Sequence, residues 1–405
     1  MRVFDPGRSR PVQAQVLIGE EADSGLVPAL QPGNVQTWDS SSFETLSRLI
    51  VSQAEWQACK SAIVHRFATP SNWRGSLQFL SVIAPIAGLW FLIRQTWLES
   101  PWLDAAATFA LSLFLLRGFV LMHDCGHHSL FRTKWPNRLA GFLLGVLSGL
   151  PQQVWAENHR YHHVTNGNWA RYRGPLNVSS VDDYQAMSSR DQRRYRRTRD
   201  ILVAPLAGFL YFLVNPRITW VRASVQRLRR RLARKTGAET PATEPLAGIS
   251  SAHYRYMLWN NLLLLAGWCV MAWAVGPVPF LICYLVSGSL AGGYGLILFT
   301  VQHNFEHSYA SADAGWDRDE AALSGTSFLV LPRWLNWITA DAAYHHVHHL
   351  CASVPNYRLA ACHKEYEQLF ADVRRVGLFE IPGALKHVLW DVSARRLVSV
   401  AEIAL

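Results

Sequence analysis

Four apolar runs in the chain are long enough to cross a hydrocarbon core: Leu77 to Ile93, Trp102 to Met122, Met257 to Val275 and Val278 to Thr300. A core of about 30 Å takes about 20 helical residues at about 1.5 Å each. Two further runs, Leu139 to Val154 and Ile201 to Val214, are shorter and contain or abut proline and glycine, which predicts re-entrant or interfacial segments rather than spans. Only Arg94 to Pro101 separates the first two spans, and only Gly276 and Pro277 separate the last two, so the spans pair into two hairpins. The expected fold is all-α: a polytopic membrane protein with four transmembrane helices in two hairpins and a cytoplasmic helical cap. Its expected parts are a polar cytoplasmic arm (1–75), a membrane domain (76–375, with cytoplasmic regions 123–256 and 301–375) and a tail (376–405). One amphipathic helix is expected near Phe43 to His65 within the arm.

Composition agrees with lipid as part of the solvent. Half of the 405 residues are hydrophobic, 17% are charged, and there are seventeen tryptophans, which excludes a disordered, collagenous or small disulfide-bonded chain. The net charge of +10 is unevenly placed: six arginines lie in Arg190 to Arg199 and eight Arg or Lys in Arg217 to Lys235. By the positive-inside bias this central region is cytoplasmic, with both termini on that side and the hairpin tips outside. The charge therefore speaks for topology and anionic lipid headgroups rather than for nucleic acid. Six cysteines without CxxC spacing suggest neither a zinc ribbon nor a disulfide framework, and no apolar stretch of signal-peptide length precedes residue 76.

Twelve of the sixteen histidines fall in four short clusters: His123, His127 and His128; His159, His162 and His163; His303 and His307; and His345, His346, His348 and His349. On a helix, positions i, i+3 and i+4 share a face, so HxxxH and HxxHH aim imidazoles in one direction. The isolated His65, His253, His363 and His387 are expected to be ordinary hydrogen-bonded residues. The first cluster follows the second span and the third follows the fourth, so with four spans every cluster lies on one side of the membrane. Were Ile201 to Val214 alone to cross, the first two clusters would be separated from the last two. About ten imidazoles exceed the four ligands or so of one zinc ion, which implies two ions. Imidazole suits iron, copper, nickel and zinc, so ligand type leaves the metal open. The chain contains neither Glu-x-x-His nor HExxH.

These boxes, HxxxH in His123 to His127 and HxxHH in His159 to His163 and in His345 to His349, resemble those of the membrane fatty acid desaturase family. The likeness extends to His123-Asp-Cys-Gly-His-His-Ser-Leu-Phe, to Val301-Gln-His-Asn-Phe-Glu and to Val354-Pro-Asn-Tyr-Arg-Leu, covers roughly 75–370, and is closest to the acyl-lipid delta-12 or omega-6 branch. It implies a non-haem di-iron centre that uses dioxygen and two electrons to remove two hydrogens from adjacent carbons of a lipid acyl chain, leaving a cis double bond. The implied iron ligands are His123, His127, His159, His162, His163, His345, His348 and His349, with His303 as a further one. His128 and His307 are counted with the metal-binding set, and His346 is read either as a hydrogen-bonding residue or as a donor behind the ligands. Asp124, Glu157, Glu306 and Asp341 lie close enough in sequence to fix the tautomers of ligating rings.

Placing one methylene pair beside the metals calls for a narrow apolar tunnel, with walls expected from Trp102 to Met122 and Ser287 to Gly295. The chain has no GxGxxG, CxxCH or ferredoxin-type cysteine spacing and no His-Pro-Gly-Gly, so electrons are expected from a separate ferredoxin or cytochrome b5 with its reductase. The basic stretch Arg190 to Arg199 suits an acidic carrier or lipid phosphates. The rival readings are a lipid or carotenoid hydroxylase or ketolase with the same boxes and, more distantly, a membrane metal transporter or sensor, whose ligands would lie near the bilayer midplane.

Overall fold

The computed structural model describes residues 53–174, 176–236 and 249–403. The chain divides into two units, residues 1–61 and 62–405. Most of the expected arm, including the start of its amphipathic helix at Phe43, lies outside the described residues. Helix α1 is Gln53–Phe67.

Helices α2 (Asn72–Thr96) and α3 (Pro101–Gly126) form the first hairpin. Ser71 caps α2 by accepting from the Arg74 backbone N–H, and Pro101 starts α3 where a missing N–H costs nothing. After α3 come α4 (Lys134–Leu147) and α5 (Gln152–Thr165), bent by 101° across a short break. Gly149, at φ +74°, makes the turn, and the Leu150 N–H donates to the Gly145 carbonyl at 2.7 Å. The run Leu139 to Val154 is thus two helices set at a steep angle, each too short to cross a membrane alone.

Further on lie α6 (Ser189–Arg197), α7 (Ala204–Phe209) and α8 (Asn215–Thr236), the last two joined through a wide π-turn at Leu210–Val214. The second hairpin is α9 (Ser251–Val275) and α10 (Pro277–Val301), turned at Gly276 with φ +103°. By length and apolarity five helices among the described residues are capable of crossing a membrane, one more than sequence predicts: α2, α3, α9, α10 and the stretch Ile201–Ala233. The additional one arises because α7 and α8 run on through the π-turn, so a short apolar run acquires the length of its arginine-rich continuation.

Helix α3 is the most enclosed of the five and packs against α2, α4 and α10. Its Arg117, 1% exposed, is held by Ser81 and Gln78 of α2, by the Trp337 carbonyl and over the Trp337 ring at 4.1 Å. A guanidinium with its N–H groups satisfied in this way is a clamp between the first hairpin and the segment leading to the last histidine box. Tryptophans stay exposed at both ends of the hairpins: Trp73 and Trp259 toward one, Trp102 and Trp273 toward the other. Two such belts are the expected anchors at membrane–water interfaces.

The protein is mostly helical, in line with the expected helical fold, with a few short strands besides. A three-stranded sheet joins β1 (Ser179–Ser180), β4 (His387–Asp391) and β5 (Arg396–Ser399), and β2 (Phe328–Val330) lies parallel to β3 (Arg375–Gly377). Strands of two to five residues are too short to show an alternating pattern in sequence. Their role is to dock the chain's end: the Tyr195 hydroxyl donates to the Val388 carbonyl at 2.6 Å and accepts from the Ser179 N–H at 3.0 Å.

Helices α7 and α10 touch backbone to backbone. A Cβ on Gly208 would fall onto the Gly292 carbonyl, and one on Gly292 would sit 2.7 Å from the Gly208 carbonyl carbon. Small residues permit this approach between helices. Gly292→Leu is accordingly expected to leave little folded protein, whereas Gly88→Leu, whose added Cβ meets nothing within 4 Å, keeps the wild-type peak; fluorescence-detected size exclusion of detergent extracts measures both.

Candidate metal centre

Nine imidazoles from four segments converge into two groups. His123, His127, His159, His163 and His348 form one, and His162, His303, His345 and His349 the other, with the nitrogen atoms of each group within 4.8 Å of one another. Helix geometry explains the division. On α5, His159 and His163 stand one turn apart and reach the first group, while His162, about 100° around from its neighbour, reaches the second. The last box lies on a short helix, α11 (His345–Leu350), and divides likewise: His348 joins the first group, His345 and His349 the second.

Backbone turns aim the segments. Ala340 and Asp341 both have left-handed φ, +47° and +56°, unusual for consecutive non-glycine residues and a concentration of strain just ahead of the box. The turn is held where Gln302, next to His303, donates to the Ala342 carbonyl at 2.6 Å. His303 donates from Nδ1 to the Gly325 carbonyl at 3.2 Å, which leaves its Nε2 lone pair facing His345 Nε2 at 2.9 Å. Asp124 accepts from His123 Nδ1 at 3.1 Å through one oxygen and from the Asn356 backbone N–H at 3.1 Å through the other. Trp155 stacks on His159, with ring centroids 4.6 Å apart and planes 11° apart.

This donor set fits metal ions. His127 Nε2 is buried without a hydrogen-bond partner, a costly arrangement for a polar atom unless a cation fills the gap. Ring nitrogens of His163 and His159, of His348 and His163, and of His162 and His349 approach to 2.9, 3.0 and 3.2 Å. Burial and the neighbouring rings hold His345, His348 and His349 well below the usual imidazole range, and burial lowers His303 to about 4. The rings are therefore neutral at pH 7, the state in which imidazole binds a metal.

Other residues singled out in the sequence lie elsewhere. His128 turns away at φ +57° past the end of α3 and is exposed. His307, at φ +64°, is also exposed and faces Glu306 at 3.6 Å. Helix α10 stops at Val301, so His303 and His307 are not neighbours on a helical face. Of the four carboxylates, Asp124 alone has a hydrogen bond to a clustered ring. Glu157 pairs with His253 at 3.2 Å, and Glu306 pairs with Arg396 at 3.0 Å. Asp341 faces Arg117; burial pushes its carboxyl up to about 6 against the pull of that guanidinium. His346 is fully buried behind the box and meets His363 Nδ1 at 2.9 Å, a pairing across 17 positions that no local spacing signals.

An apolar cavity opens directly on the clusters, with His123, His345 and His348 on one side and Phe119, Leu298 and Phe299 among its walls. The family profile for fatty acid desaturases matches residues 100–379. A fatty acid desaturase of Bacillus subtilis is 34% identical over 343 residues, covering 84% of this chain and 90% of its own length. The chain belongs to the fatty acid desaturase family. Two further relatives are a Synechocystis sn-1 oleoyl-lipid 12-desaturase, 25% identical with 68% of each chain covered, and a chloroplastic omega-6 fatty acid desaturase of spinach, 24% identical with 71% of this chain and 58% of its own covered. This desaturase is an oxidoreductase, and its apolar helices suit a membrane.

The geometry separates histidines of the boxes from histidines beside them. In this desaturase His128→Ala and His307→Ala are expected to keep bound metal and activity within about twofold of wild type, since both side chains are solvated. His127→Ala, in contrast, is expected to lose metal measurably by elemental analysis of purified protein.

Proposed function

We propose that the nine clustered histidines hold two irons and that the enzyme introduces a cis double bond into a lipid acyl chain lying in the adjoining cavity. The observation that carries this reading is the coincidence of two imidazole groups with an apolar cavity whose wall they form. Iron, when bound, supplies the dioxygen chemistry that no side chain can perform on an unactivated methylene. The protein's own part is positional: Asp124 and the Gly325 carbonyl fix two ring tautomers, Trp155 braces His159, and Phe119, Leu298 and Phe299 enclose the chain. An acyl-lipid substrate is favoured by the relatives named for oleoyl-lipid chemistry.

The proposed topology is four spans, α2, α3, α9 and α10, in two hairpins, with the histidines in a helical cap on the cytoplasmic side. Convergence of His123 with His303 requires α3 and α10 to end on one side of the bilayer, which is also the side where α9 begins. The chain between α3 and α9 must then cross an even number of times. Because α5 returns its histidines to the clusters, the stretch Ile201–Ala233 has no partner crossing and is read as lying within or along the membrane from that same side. Arg227 meets Ser251 at the start of α9 (3.3 Å), so the arginine-rich part of α8 shares the clusters' end of the spans, in keeping with a cytoplasmic face. Residues 76–375 are taken as the membrane domain. A separate ferredoxin or cytochrome b5 is the proposed donor, and the exposed Arg190, Arg193 and Arg197 of α6 suit an acidic carrier.

Expected for the purified protein are close to two irons per chain. His162→Ala and His348→Ala, one from each group, abolish desaturation while membrane insertion persists. Fatty acid profiling of an expressing host supplies the decisive readout: new double bonds support the proposal, while a new hydroxyl or keto group without one favours the hydroxylase or ketolase instead.

A further inference from the structure

A second apolar cavity lies on the far side of Phe119 from the histidines, walled by Leu115, Phe212, Tyr284, Gly288 and Ala291, with no charged residue in its lining. Phe119 borders both cavities. Its ring is braced edge-on by Phe212 at 4.8 Å and by Trp155 at 5.4 Å, and Trp155 stacks in turn on His159. Across the gap stands Gly295, where a Cβ would come within 3.3 Å of the Phe212 ring and 3.7 Å of the Phe119 ring, so glycine there leaves room for both. From Leu115 to His123 is eight residues of α3, about 12 Å along the helix axis.

We propose that the Phe119 ring is a partition that stops the methyl end of the acyl chain, and so determines which carbons lie beside the clusters. The inference rests on the acyl desaturase reading and adds to it the residue that selects the bond position. A chain that cannot pass Phe119 has its end fixed relative to His123, one helical turn further on. Remove the ring, and the chain slides into the second cavity, bringing carbons nearer the head group to the clusters. The second cavity is predominantly apolar and uncharged, the hydroxyls of Ser148 and Tyr284 being its polar groups, so it accepts hydrocarbon and disfavours a charged head group, which sets the direction of insertion.

The test is the double-bond position in fatty acids of a host expressing each variant, read by mass spectrometry of derivatised esters. Phe119→Ala is expected to move the bond toward the carboxyl end, raising the share of shifted product about tenfold, the scale on which pockets discriminate single methylenes. Adding Gly288→Leu to Phe119→Ala refills the second cavity, where a Cβ on Gly288 meets nothing within 4 Å, and returns the bond to its wild-type position. Phe119→Trp moves the bond the other way, toward the methyl end, and keeps the proposal testable if the alanine variant does not accumulate. Unchanged bond positions in active Phe119→Ala or Phe119→Trp overturn the partition while leaving the desaturase reading intact. Absence of any double bond from the wild-type enzyme, supplied with its electron donor, overturns that reading and the partition with it.

Discussion

Nine imidazoles packed with their ring nitrogens facing one another form an arrangement that no apolar core would choose. Without a proton or a cation between them, nitrogens such as His303 Nε2 and His345 Nε2 at 2.9 Å repel, and burial penalises the protonated alternative. The rest of the structure holds this cage shut. Four stretches far apart in sequence must end at the same height, and each is held by a residue that is not one of the clustered histidines: Asp124 by Asn356, Trp155 by Phe119, His303 by Gly325 and Ala342 by Gln302.

The helix arrangement follows from the same requirement. Helices α3 and α10 deliver their ends to one level, and the buried Arg117 ties the first hairpin to the loop that carries the last box. The strained Ala340 and Asp341 lie on that loop, where left-handed backbone turns the chain toward the cage. Strain of this kind persists only where surrounding contacts over-determine it, and here the Arg117 clamp and the Gln302 bond do so.

Much of this was legible in the sequence because helical periodicity and the metal site share one geometry. HxxxH and HxxHH announce a face, and the two hairpins follow from length and hydropathy. What periodicity cannot encode is where a helix stops or which of two adjacent rings goes where. His303 and His307 have helical spacing, but α10 ends before them, and a left-handed residue sends His307 to solvent. His162 and His163 are neighbours that serve different groups. Glu157 and Glu306 lie close to the boxes in sequence but are paired with His253 and Arg396. The His346–His363 pair and the small strands depend on tertiary contact alone, as does the continuation of Ile201 to Val214 into a helix of spanning length.

The periodicity that aims the histidines also aims the cavity walls. On α3, Phe119 and His123 are one turn apart on a single face. On α10, Gly288, Gly292, Gly295 and Phe299 follow at helical spacing and lead toward His303. Helix α3 therefore carries a clustered histidine and hydrocarbon contacts on one rigid rod, and α10 ends two residues short of His303, so on α3 the distance from cavity wall to imidazole cage is set by the rise of the helix rather than by a mobile loop. A hydrocarbon chain offers no polar handle by which one methylene can be told from the next. Selectivity must then be a matter of length measured against something stiff, and α3, whose Phe119 ring is wedged between Trp155 of α5 and Phe212 of the π-turn, provides such a reference.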